Sequence, residues 1–230
     1  MIKIENVETY GWQAAIRGMR NPKNSWDKSD SHGCPCEYDR DCDCPMIMEG
    51  DEPAHDCTEI YEKVNYCIGE NDMKLMKTLA AAGTDHGKYL RMITVTADIT
   101  APFYWWKEYD TYKVGTVANS CSTMHKLPEK EFTLSDFSTE HLSETNLIIL
   151  DMTIAALNNA RLDFLQTQDK RDWWQMIQLL PTSYNQRRTV QFNYAVLKNM
   201  YHSRQNHKLD EWREFCQWVK SLPYSELITG

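Results

Sequence analysis

The stretch MITVTADITAP, residues 92–102, constrains the fold more than any other. Ile93, Val95, Ala97 and Ile99 alternate with Thr94, Thr96, Asp98 and Thr100. An alternation of period two gives an extended chain one apolar face and one polar face, so the spacing predicts a half-buried β-strand. Pro102 ends it. A second strand is predicted at the start, in MIKIENVETY, where Ile2, Ile4 and Val7 supply the apolar side.

Elsewhere the period changes to that of a helix. GWQAAIRGMRN reads as a short helix that stops near Asn21-Pro22. NDMKLMKTLAAAG carries Met73, Leu75, Met76 and Leu79 at helical spacing, with Asn71 as an expected cap and Gly83 as the stop. FYWWKEYDTYKV is expected to be a helix with an aromatic face. The C-terminal half reads as four helices: SETNLIILDMTIAALNNARLDFLQ capped by Ser143, RDWWQMIQLL ending at Pro181, SYNQRRTVQFNYAVLKNMYHSR, and LDEWREFCQWVKSL. Strands that cluster early and helices that cluster late point to an α+β fold. One domain over 1–230 is expected, interrupted by a polar, Cys-rich inserted loop at about 27–67 that has no periodicity.

A chain of 230 residues with 42% hydrophobic and 25% charged residues can bury a full core. Its formal net charge of −8 argues against duplex nucleic acid as a partner, because phosphate neutralisation needs a basic surface. The N-terminus lacks the apolar region of a secretory signal, and no apolar run is long enough to span a bilayer. The expected setting is therefore the cytoplasm, without membrane contact and with cysteines mostly reduced.

Several clusters could carry chemistry. In HGCPCEYDRDCDCP, Cys34, Cys36, Cys42 and Cys44 form two C-x-C pairs, followed by His55 and Cys57. Four thiolates suit tetrahedral zinc in a structural role, although zinc sites favour C-x-x-C, and a loop of reduced thiols is the alternative. The aromatic run Phe103, Tyr104, Trp105, Trp106, Tyr109 and Tyr112 could stack a flavin or a base, or could be core. Arg187, Arg188, Arg204 and Arg213 could line an anion pocket, or pair with acids on a solvated face. His86 falls in a turn. The segment VGTVANSCSTMHKL, residues 114–127, reads alone as a polar turn containing one thiol, Cys121. No Walker loop, G-x-G-x-x-G or G-x-S-x-G motif is present.

The order of certain residues resembles the flavin-dependent thymidylate synthases. Ala14, Ala15 and Arg17 lie on the first helix, then come Leu79, Gly83 and His86, then Ala101-Pro102. The family's R-H-R signature falls on Thr111, Tyr112 and Lys113. Its later members fall on Thr116, Asn119, Ser120, Ser122 and Met124. Leu180-Pro181, Asn193, Asn199 and Arg204 follow at the family's spacing of twelve, six and five residues, and Arg213 in LDEWREF matches a closing arginine. Two signature arginines and the histidine between them are replaced, the third arginine is Lys113, and Asn-x-Arg has become Asn193-Tyr194-Ala195.

The resemblance implies a homotetramer holding FAD and dUMP between subunits. It would use NADPH and methylenetetrahydrofolate to place a one-carbon unit on C5 of the uracil. It implies that His86, Asn193, Asn199, Tyr112 and Lys113 face the flavin. Glu108, Ser120, Ser122 and Arg204 would line the nucleotide pocket, with Ser122 and Arg204 in the catalytic roles. Cys121, beside Ser122, is either a nucleophile toward C6 of a pyrimidine or a small buried side chain. Two other readings remain: a nucleotide-binding homologue without catalysis, and a non-catalytic oligomeric interaction protein.

Overall fold

The structure is a computed structural model, and it describes residues 2–33 and 66–230. The predicted strand is β4 (Thr94–Pro102), and it lies inside a four-stranded antiparallel sheet with β1 (Lys3–Tyr10), β5 (Val117–Ser120) and β6 (Asn185–Asn193), in the order β1-β4-β6-β5. Its alternation is realised directly. Val95, Ala97, Ile99 and Ala101 are buried, while Thr94, Thr96, Asp98 and Thr100 face the other side. A bulge in β1 shifts the register between Glu5 and Glu8, and Asn6 sits there at φ +51°. Asparagine tolerates this left-handed conformation better than most residues. Its side chain donates to Asp98 at 2.8 Å.

Helices cover the apolar face. These are α1 (Trp12–Arg20), α2 (Glu70–Ala81), α3 (Phe103–Tyr109), α6 (Tyr194–Arg204) and α7 (Asp210–Lys220), with the short α8 (Glu226–Thr229) closing one side. The core between them and the sheet is aromatic. Trp105 lies 4.8 Å from both Trp106 and Trp212, so the aromatic run of the sequence is core at Trp105, Trp106 and Tyr109. A second hydrophobic cluster holds the hairpin of α4 (Glu144–Thr167) and α5 (Lys170–Leu179) against the loop that contains Leu127, Phe132 and Phe137. Asn158 fixes that loop by donating to and accepting from the Phe132 backbone, both at 2.9 Å.

Two local readings of the sequence are corrected. SYNQRRTVQFNYAVLKNMYHSR is not one helix. Its first part is β6, the central partner of β4, and helix α6 begins only at Tyr194. The residues of β6 that face the core start with Gln186 and Arg188 before reaching Val190 and Phe192, so polar groups mask the alternation. Asn71 does not cap α2. The cap position is Gly69, and Asp30 receives the backbone N–H groups of Asn71 and Asp72 instead. The Ser143 cap of α4 is as expected, accepting from the Asn146 N–H.

A short antiparallel pair, β2 (His32–Gly33) with β3 (Tyr66–Cys67), joins the described residues on either side of 34–65. Beneath it lies a buried ion pair, Arg20 to Asp72 at 2.6 Å. Asp72 also accepts from the hydroxyls of Ser29 and Ser31 and from the backbone of Asp30 and Ser31. Burial pushes this carboxyl up, but the hydrogen bonds and Arg20 outweigh burial and hold it below the usual range. The four cysteines Cys34, Cys36, Cys42 and Cys44 lie outside the described residues.

Candidate functional site

The site is built on α6 and on the loop that leaves α3. Asn193 ends β6 and caps α6, its side chain accepting from the Val196 N–H at 2.9 Å. Arg204 closes the same helix, about 16 Å farther on at 1.5 Å per residue. The α3 exit loop runs between them. At one end Tyr112 accepts from Arg204 Nε at 2.8 Å, and Glu108 pairs with Arg204 Nη1 at 3.1 Å. At the other, the Gly115 carbonyl accepts from Asn193 Nδ2 at 3.4 Å. Gly115 stands at φ +82°, and a Cβ there would lie 2.7 Å from Asn193 Nδ2. Only glycine fits a turn so close to the asparagine.

Arg204 is the best-defined group of the set. Its guanidinium carbon lies 5.4 Å from the centre of the Tyr112 ring and 5.0 Å from that of Trp212, in cation–π contact with both. Its side chain is 17% exposed, so the charge is largely buried and held in place. The other arginines pair with acids. Arg187 meets Asp98 at 2.7 Å, Arg188 meets Asp110 at 2.8 Å and lies over Trp106, and Arg213 pairs with Asp210. Asp98 sits well below the usual carboxylate range because Thr189, then Asn6, then Arg187 donate to it. Of the two readings for these arginines, the structure favours ion pairing.

The structure thus brings Glu108, Tyr112 and Arg204 together and ties Asn193 to the same loop. Lys113 is exposed on that loop. Asn199 is exposed elsewhere on α6, because five residues on a helix turn through about 140°. It takes a hydrogen bond of 3.4 Å from Ser203 Oγ. α6 packs on the 3-10 turn Gly87–Met92, which follows the exposed His86. Ser120 ends β5 opposite Arg188, and the Ser122 hydroxyl accepts from the His125 N–H at 3.1 Å. Among the described residues no hydrogen bond links Ser120 or Ser122 to the Arg204 group. Cys121 is exposed at the edge of the sheet, which overturns the small buried role.

Trp212, Gly115 and Asp110 were not singled out by the sequence. Gly115 had a signal, a lone glycine closing a run of bulky residues. Trp212 and Asp110 had none, because their partners are far along the chain. Among the described residues no group of three or more His, Cys, Asp or Glu side chains could hold a metal ion.

No protein-family model matches the chain, and no curated protein matches it by sequence. Solved structures do match, among them the following two. One is the flavin-dependent thymidylate synthase ThyX from Helicobacter pylori complexed with FAD and dUMP, with a TM-score of 0.63 at 17% identity over 97% of this chain and 98% of its own. The other, the same enzyme with FAD and dUMP, gives 0.63 at 16% identity over 99% and 96%. This chain has the ThyX fold. The likeness spans nearly the full length of both partners. Identity this low carries the architecture and leaves the chemistry to the side chains. Among the described residues no helix is long and apolar enough to cross a membrane.

Proposed function

We propose that the protein is a divergent flavin-dependent enzyme that transfers a one-carbon unit to C5 of a deoxyuridine nucleotide, turning dUMP into dTMP. The observation that carries the reading is Arg204. It is a fixed cation, largely buried, in contact with the Trp212 and Tyr112 rings and beside a loop tied to Asn193. Such a group binds an anion and stabilises negative charge that develops on a pyrimidine ring.

The donor set fits a flavin. His86 and Asn199 are exposed polar groups on elements that pack together, Lys113 is an exposed cation for a pyrophosphate, and Tyr112 offers an aromatic face. A bound flavin would supply the electrons for the one-carbon transfer, with NADPH as their source and methylenetetrahydrofolate as the carbon donor. The chain's own residues bind and orient. Arg204 holds the nucleotide and its developing charge, Glu108, Ser120 and Ser122 line the nucleotide side, and Asn193 keeps the loop in register. The Cys-rich insert, with Cys34, Cys36, Cys42 and Cys44, remains a proposed structural zinc site. We place the enzyme in the cytoplasm.

Assembly into a homotetramer is part of this proposal. Helix α4 buries Leu150, Ile154 and Leu157, yet also presents Ile148, Met152 and Leu162 outward, Met152 at 69% exposure. A helix that is apolar all round is normally covered on both sides.

The test is direct. The purified protein should show flavin absorbance, or take up added FAD, and dUMP should raise its melting temperature. Arg204→Ala should abolish the dUMP shift. A colourless protein that binds no added FAD would end the enzyme reading, and a dUMP shift that survives in Arg204→Ala would remove Arg204 from its role.

A further inference from the structure

Three arginines border this region, and each already has a carboxylate: Arg187 with Asp98, Arg188 with Asp110 and Arg204 with Glu108. The first two pairs belong to the framework. Asp98 is bound by Asn6, Arg187 and Thr189 across three strands, and Arg188 is also held by Gln186 and the Trp106 ring. Glu108 is different. Its side chain is 44% exposed, it lies in the last turn of α3, and its carboxylate occupies a guanidinium N–H of the arginine that also contacts the Tyr112 and Trp212 rings.

An ionised carboxylate only accepts hydrogen bonds, so Glu108 cannot donate to a phosphate or to a carbonyl oxygen. Beside a ligand anion it is a like charge. Arg204 does not depend on it for position, because Tyr112 holds Nε and two aromatic rings hold the plane. Removing the Glu108 charge therefore frees an N–H of Arg204 and does not release the side chain.

We propose that Glu108 is a specificity-determining residue: an internal competitor that keeps Arg204 paired until a ligand anion displaces it. The site then sorts ligands by charge. A nucleotide whose phosphate reaches Arg204 has to expel Glu108, whereas the nucleoside, which lacks the phosphate, does not. The inference rests on the reading of Arg204 as the ligand-contacting group.

The experiment uses the full chain as wild type, Glu108→Gln, Glu108→Ala and Glu108→Gln/Arg204→Ala, titrated calorimetrically with inorganic phosphate, dUMP and deoxyuridine. Both single variants should bind phosphate and dUMP about tenfold more tightly than wild type, the scale set by relieving a like-charge contact. Deoxyuridine affinity should stay unchanged, and the double variant should lose the gain. The proposal is overturned if neither single variant gains phosphate affinity, if the gain persists without Arg204, or if deoxyuridine gains equally. A phosphate gain with no preference for dUMP over phosphate upholds Glu108 and defeats the nucleotide reading. Wild-type dUMP binding that neither single variant alters upholds the nucleotide reading and defeats Glu108.

Discussion

At the scale of single residues, the chain fixes its working parts through a few buried or crowded contacts. Asp72 is the clearest. Asp72→Asn would leave the Arg20 guanidinium buried without its counter-ion, a change that costs about 3–5 kcal/mol. Urea unfolding at neutral pH should show it. The carboxyl is held below its unfolded value of about 3.9, so its contribution is complete above that pH and is lost as pH falls toward the folded value. Stability of the wild type should therefore drop more steeply below about pH 4 than that of Asp72→Asn. Gly115 gives a second test. Gly115→Ala must place a side chain at φ +82° against Asn193, at about 1–2 kcal/mol. Thermal unfolding should register that modest loss, while a flavin titration should weaken more, since the strain falls on the loop itself.

At the scale of elements, β4, α1 and α2 were legible because their burial is one-sided and their apolar residues keep a single period, and α4 was legible from its length and its Ser143 cap. β6 was not. Its core side holds Gln186, whose backbone carbonyl receives the Trp106 N–H, and Arg188, which covers the same ring. Neither reads as core, and the alternation is left to Val190 and Phe192. The candidate site divides in the same way. Arg204, Asn193, Glu108 and Tyr112 could be named from the order of residues, whereas Trp212 beneath Arg204 is a tertiary contact that no local pattern encodes. Helix α4 yields two predictions. Ser143→Ala removes the hydroxyl that accepts from the Asn146 N–H and should cost about 1 kcal/mol in unfolding free energy. Met152→Lys changes an exposed position and should leave the fold intact while shifting the protein to a smaller species in sedimentation, if the outward stripe is an oligomer face. An unchanged sedimentation coefficient would count against that face.

At the scale of the molecule, two hydrophobic cores meet at Tyr184. Its ring lies 5.5 Å from Phe103 on the sheet side and 5.6 Å from Phe137 on the hairpin side, and its carbonyl accepts from the Phe103 N–H. Damage to one core should stay largely within it. Leu157 is fully buried between α4 and its loop, and Leu157→Ala should cost about 2–5 kcal/mol. Hydrogen exchange should then quicken across residues 127–179 and remain slow in β4 and β6.

The strand order has a consequence for synthesis. β4 takes its neighbours from opposite ends of the chain, pairing Ile4 with Ile99 on one side and Val95 with Phe192 on the other. Closing such long loops is entropically slow. A ribosome must also release most of the polypeptide before β6 exists to pair. Until then β4 displays an open hydrogen-bonding edge and an apolar face together, the combination that recruits other nascent chains. Yield of soluble protein should therefore depend on chaperone supply and on expression temperature more than the folded stability would suggest.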